Sequence, residues 1–204
     1  MTIKLPDTLN LTAMIEGFYN GSLMVPDTAT IELRKAVSPF ALLESHKVLL
    51  NNLGTGKQSF NNVVEGTEYY IVLKHRNSVE TWSKLPQSFT GGALTYNFTT
   101  DSTKAYGNNL TLKGTKWCLF SGEVTNNYFI EYNDLIQVYN FYLLVLENPG
   151  YYIEDVTGNG FVEYDDLVLV YNNYFAQVYS HNPLNPVLST RPIKGKKIEI
   201  RMDK

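Results

Sequence analysis

The sequence predicts a multidomain, mainly β protein: an N-terminal antiparallel β-sandwich, a small helical module made of two repeated loop-helix units, and a C-terminal strand. Three observations carry this. Short segments rich in Val, Ile, Thr, Tyr and Phe recur between turn residues from Leu9 to about Thr100. Residues 123–142 (EVTNNYFIEYNDLIQVYNFY) are repeated at 155–174 (DVTGNGFVEYDDLVLVYNNY), with 12 of 20 positions identical. Residues 197–202 (KIEIRM) place Ile198, Ile200 and Met202 on one face of an extended chain.

In the first part, seven strands are expected. They fall near 11–18, 28–33, 41–51, 59–64, 68–74, 79–82 and 93–99, with Asn20-Gly21, Pro39, Gly66, Pro86 and Gly91-Gly92 as punctuation. Strand number and spacing predict a sandwich of immunoglobulin-like type over residues 1–114. The polar stretch 100–114 reads as a junction, and a further strand over 116–120 leads into the first repeat. Residues 115–182 form the repeated module; 183–204 form a basic tail that His181-Asn182-Pro183 and Asn185-Pro186 separate from the last helix.

Each repeat opens with oxygen-bearing side chains at regular intervals. In the second copy Asp155, Thr157, Asn159, Glu163 and Asp166 occupy positions 1, 3, 5, 9 and 12 of a twelve-residue loop, with Gly160 at position 6 and the Phe161 carbonyl available at position 7. This is the layout of an EF-hand-type Ca2+ loop, because Ca2+ is a hard cation that gathers six to eight oxygens and alternate residues of a tightly wound loop converge on one point. The first copy supplies Glu123, Thr125, Asn127, the Phe129 carbonyl, Glu131 and Asp134 at the same positions. It departs at position 1, where Glu123 replaces Asp, and at position 6, where Tyr128 replaces Gly. Loop one is therefore either a weaker calcium site or a metal-free turn held by helix packing.

An apolar stripe of helical period follows each loop: Leu135, Val138, Tyr139, Tyr142, Leu143 and Leu146, then Leu167, Val170, Tyr171, Tyr174, Phe175 and Val178. No helix is expected to enter loop two, since Asn148-Pro149-Gly150 breaks the chain and Tyr151-Tyr152-Ile153 is extended in character. A duplicated loop with an exit helix and no entry helix resembles the dockerin module, the calcium-dependent docking element of secreted bacterial assemblies. The likeness covers roughly residues 117–179. It implies that Tyr132 and Tyr164, at loop position 10, lie where a partner is met; packing between the two copies is the other role open to them.

Charge fits this reading. Nine acidic residues lie between Glu123 and Asp166, and no Lys or Arg occurs between Lys116 and Arg191. Such a block repels itself unless cations neutralise it, although a solvated acidic face has the same composition. Residues 191–204 carry six basic and two acidic groups, too short and mixed a run to imply nucleic acid. No apolar run is long enough for a membrane span, and the N-terminus lacks the apolar core of a signal peptide. The single Cys118 excludes an internal disulfide and reads as a buried thiol.

Nothing points to an enzyme: His46, His75 and His181 are scattered, and Gly54-Thr55-Gly56-Lys57 is a turn rather than a phosphate loop. The expectation is a non-enzymatic, extracellular or cell-surface, calcium-stabilised docking protein that meets a protein partner or further copies of itself. A self-assembling surface-layer or filament subunit using the 197–202 strand is the alternative. A carbohydrate-binding sandwich using Tyr19, Tyr69 or Trp82 is a third reading.

Overall fold

The structure is a computed structural model describing residues 5–145 and 148–185. The 197–202 strand expected from the sequence, and with it the basic run 191–204, lies outside the described residues, as does Leu146 of the first apolar stripe. Among the described residues the chain is mainly β, with two sheets packed face to face and two α-helices.

One sheet contains β4 (Thr55–Phe60), β1 (Asp7–Thr12) and β8 (Ala93–Asn97) in that order. The other contains β3 (Leu42–Leu50), β2 (Asp27–Lys35), β5 (Glu68–His75) and β6 (Ser78–Trp82), with the two-residue β7 (Gln87–Ser88) at the start of β5. The sandwich is not wholly antiparallel as the sequence predicts: β1 runs parallel to β8, with Leu9 opposite Leu94, and antiparallel to β4. The two strands are distant in sequence, so no short hairpin obliges them to run in opposite directions.

Alternation explains which residues enter the core. In β1, Leu9 and Leu11 are buried and Thr8, Asn10 and Thr12 are partly exposed, the two-residue period of a half-buried strand. Ala29, Ile31 and Leu33 of β2 face them, with Ile71 and Leu73 of β5, and Phe60, Phe89 and Phe98 fill the space between the sheets. The other face of β5 is covered too: Tyr70 and Val72 cluster with Trp82, and Phe40 and Tyr106 pack against them.

Two strands begin and end earlier than the sequence predicts. The segment expected as a strand over 11–18 forms β1 only to Thr12; Ala13, Met14, Ile15 and Phe18 are all buried, a run without the alternation of a half-exposed strand. Likewise 59–64 gives way to β4 at Thr55–Phe60, an edge strand whose outward Lys57 and exposed Thr55 and Ser59 hide its β character.

The polar 100–114 stretch is ordered rather than an open connection. Two 3-10 turns, Ser102–Lys104 and Tyr106–Asn108, lead to β9 (Thr111–Lys113), which pairs with β10 (Lys116–Cys118). Asn109 is buried and its Nδ2 donates to the Tyr179 carbonyl at 2.9 Å. Cys118 is buried as expected.

The repeat builds a second apolar cluster. Helix α1 (Tyr132–Val145) and helix α2 (Tyr164–Phe175) start at equivalent positions of the two copies. Their shared interior joins repeat-related pairs: Val124 with Val156, Ile130 with Val162, and Val138 with Val170. Val79 and Phe120, from the sandwich side, complete it. Loop one is entered from β10 and loop two from a non-helical segment, so neither has an entry helix among the described residues.

Candidate functional site

The two loops share one hydrogen-bond plan, set by residue types recurring at the same loop positions. In loop two, Asp155 Oδ1 accepts from Gly158 N at 2.7 Å and Asn159 N at 3.2 Å, and its Oδ2 accepts from Gly160 N at 3.0 Å. Asp166, reaching back from the first turn of α2, accepts from Thr157 N at 2.9 Å and Glu163 N at 2.8 Å. Asn159 donates to Glu163 Oε1 and accepts from Phe161 N.

Loop one repeats the contacts at positions 5, 9 and 12, while at position 1 the Asn127 amide is the counterpart of one of the three backbone donors on Asp155. Glu123 Oε1 accepts from Asn127 N at 2.9 Å; Asp134 accepts from Thr125 N at 3.0 Å and Glu131 N at 2.8 Å; Asn127 donates to Glu131 Oε1 and accepts from Phe129 N. Asp134 also receives Val124 N and the Thr125 hydroxyl. Glu163 and Asp166 form a reciprocal capping box at the start of α2, so the loop's closing carboxylate also fixes where that helix begins.

The backbone conformations coincide as well. Positions 4 and 6 have positive φ in both loops: Gly158 (74°) and Gly160 (88°) in loop two, Asn126 (58°) and Tyr128 (75°) in loop one. Glycine takes this region freely, whereas tyrosine does so at a cost of about 1 kcal/mol. Loop one keeps the winding of loop two without the glycines that ease it.

Electrostatically, each loop buries a pair of acidic groups. Asp155 and Asp166 are 2% and 0% exposed, Glu123 and Asp134 5% and 0%. Burial, reinforced by the Asp155 charge, pushes the Asp166 carboxyl up to about 6 despite the backbone donors it accepts from. Burial, with the Asp134 charge adding to it, pushes Glu123 up to about 7 against the Asn127 and Asn126 amides. Two carboxyl groups withdrawn from water beside each other each disfavour ionisation of the other, a situation a divalent cation would relieve.

The side-chain types at these loop positions are hard oxygen donors, with no Cys or His among them. Among the described residues no group of three or more His, Cys, Asp or Glu is disposed to hold a metal. The three acidic groups of each loop, Asp155, Glu163 and Asp166 or Glu123, Glu131 and Asp134, are therefore not gathered at one point, and their oxygens accept from loop amides. Each loop carries two buried acidic groups and a third, more exposed one, together with amide, hydroxyl and main-chain oxygens, a donor set of the kind that would suit Ca2+ if the loop closed on it.

Between the helices runs an apolar groove of about 560 Å³. Its walls are repeat-related: Leu135 with Leu167, Ile136 with Val168, and Tyr139 with Tyr171. Tyr164 lines it and is half exposed. Tyr132, its counterpart, is 59% exposed and is absent from the lining. The helical stripes are therefore only partly covered: Val138 and Val170 are fully buried, whereas Tyr139, Leu143 and Phe175 stay exposed.

Two groups of sequence-selected residues find other roles. Tyr19, Tyr69 and Trp82, expected as exposed sugar-binding aromatics, are each at most 3% exposed, because all three face into packed interiors; Trp82 lies under the Arg34 guanidinium and against Tyr70. The three histidines remain apart: His46 pairs with Glu44, His75 with Asp27, and His181 stacks on Tyr179. What the sequence did not reveal is a polar knot where the β5–β6 turn meets loop two. There Asp27, His75, Arg76, Asn77 and Tyr151 converge, and only the folded chain brings them together.

No protein-family model matches the sequence, and no curated protein matches it. Among solved structures, a chain of a type II cohesin-X-dockerin complex from Acetivibrio cellulolyticus, an N-terminal interface mutant, is similar at 11% identity. The match covers 82% of this chain and 94% of that one, with a TM-score of 0.45. A likeness at that level assigns neither family nor activity.

Proposed function

We propose that this chain is a non-enzymatic docking protein in which an immunoglobulin-like sandwich carries a dockerin-like module. Calcium, held by Asp155, Thr157, Asn159, Phe161, Glu163 and Asp166 and more weakly by the corresponding residues of loop one, fixes the two exit helices as a binding face. The ion adds positive charge to the paired acidic groups, and it joins each loop to the first turn of its helix. The face is the groove between α1 and α2, and its occupant is an apolar ridge on a protein partner. An extracellular or cell-surface location follows from the dockerin resemblance.

The observation that carries the reading is the matching register of the two loops: the contacts of the closing aspartate, the Asn-to-Glu bond at positions 5 and 9 and the positive-φ positions recur in both copies, although position 6 of the first is tyrosine rather than glycine. A turn kept only for chain reversal has no need of tyrosine in a left-handed conformation. Among the described residues no helix is long and apolar enough to cross a membrane.

Calorimetric titration with calcium chloride, with melting curves in calcium and in chelator, tests the proposal. Binding heat and a melting temperature several degrees higher with calcium are expected. No heat, with identical melting curves, rejects it.

A further inference from the structure

The chain between Lys116 and Arg191 contains no lysine or arginine, yet the first acidic position of loop two has a cation beside it. Arg76, in the turn between β5 and β6, places Nη2 3.8 Å from Asp155 Oδ2. Its Nε donates to Asp27 Oδ2 at 3.0 Å, and the rings of Phe18 and Tyr151 lie 5.1 and 4.3 Å from the guanidinium carbon. The side chain is 13% exposed, so it is held in place rather than free to retreat into water. Asn77, the next residue, fixes the loop backbone at the same point, donating from Nδ2 to the carbonyls of Ile153 at 3.2 Å and Asp155 at 2.7 Å. Among the described residues no ion pair reaches Glu123, the corresponding group of loop one.

We propose that Arg76 is a tethered counter-cation of loop two, which holds the metal-free loop against the sandwich and lowers that loop's affinity for calcium. The inference rests on the reading of loop two as a calcium site. The guanidinium neutralises part of the Asp155 charge before any ion arrives, so an entering divalent cation gains less from that carboxylate and also meets a like charge nearby. A surface lysine would swing away. Asp27 and the two rings prevent Arg76 from doing so, and they thereby connect occupancy of the loop to the sandwich.

The test compares the full chain carrying Asp27→Asn with the chain carrying Asp27→Asn and Arg76→Gln, because removing Arg76 alone would leave Asp27 buried without its main cation. Relative to the single variant, the double variant is expected to melt lower in chelator and to bind calcium about tenfold tighter by calorimetry. A lower melting temperature with unchanged or weaker calcium affinity overturns the proposal, since Arg76 would then be only a packing group. If the double variant does not fold, Arg76→Lys, whose ammonium can turn to solvent, is expected to bind calcium more tightly than wild type, and no gain overturns the proposal. Absence of calcium heat from the wild-type chain overturns the loop-two reading and this inference with it, an outcome distinct from heat that is present but unchanged.

Discussion

The Tyr151 hydroxyl donates to Asp27 Oδ1 at 2.7 Å, joining the segment that enters loop two to the first residue of β2 across 124 positions of sequence. The Tyr151 residue is largely exposed; its hydroxyl and the ring face over Arg76 tie it to the sandwich. Tyr151→Phe is expected to cost about 1 kcal/mol in denaturant unfolding, the net worth of such a bond at a partly wet site. Because the ring remains over Arg76, Tyr151→Ala is expected to cost more. Equal losses would mean that the hydroxyl carries all of the effect.

The same knot predicts how stability responds to acid. Burial opposes ionisation of Asp27, but hydrogen bonds from His75, Tyr151 and Arg76 and the His75 charge outweigh it and hold the carboxyl well below its ordinary 3.8. A group with a depressed folded-state pKa contributes stability above its unfolded value and loses it as pH falls toward the folded one. His75 acts in the same sense: burial, stronger than the pull of Asp27, lowers its pKa below 6.5, so the folded state resists the proton that the unfolded chain accepts. The contribution expected from these two groups is a loss of unfolding free energy below about pH 6.5 from His75 and a second below about pH 4 from Asp27. Glu123 and Asp166, whose carboxyls burial raises to about 7 and about 6, act in the opposite sense as pH falls through those values, so it is the step below about pH 4 that shows in the profile. Asp27→Asn is expected to flatten the second step, and an unaltered second step would remove Asp27 from the account.

Tyr128 gives a prediction of opposite sign to most substitutions. With φ at 75° and its side chain half exposed, it makes loop one bear strain that Gly160 avoids in loop two. Tyr128→Gly is expected to stabilise the chain by about 1 kcal/mol, less the entropy glycine adds to the unfolded state. Gly160→Ala is expected to destabilise it by a similar amount, and chemical denaturation of the two variants measures both.

How much of this was legible in the sequence depends on the range of the interactions. The loops and exit helices were, because their ligands, capping carboxylates and apolar stripes all lie within one copy of the repeat and occur twice. The β-rich character of the first part was also legible, since Val, Ile, Thr and aromatic residues mark strands wherever one face is buried, as in β5. Strand limits were less so: Thr55–Phe60 is polar on its outer face, and Ala13–Phe18 is mostly apolar and buried without being a strand, so pairing partners rather than local composition decided both. Arg76 was illegible. Its meaning comes from Asp27, Tyr151 and Asp155, all remote from it along the chain, and no periodicity records such a meeting. The burial of Trp82 was hidden for the same reason, since its covering residues Arg34 and Tyr70 belong to other strands.

Asp134 and Asp166 do the same work in the two loops, each closing its loop onto the first turn of its helix and each fully buried. Their neighbourhoods differ. Loop two has Asp at position 1 and glycines at both positive-φ positions, whereas loop one has Glu123, Asn126 and Tyr128 there. A longer acidic side chain and a strained turn both reduce the free energy available on binding an ion. Replacing either carboxylate by an amide removes a full charge from the donor set while keeping its volume. Asp166→Asn is therefore expected to abolish most of the rise in melting temperature that calcium produces, and Asp134→Asn a smaller part of it. Melting curves of both variants, with calcium and with chelator, measure the two shares; equal losses would show that the missing glycine and the longer acid of loop one do not set its affinity.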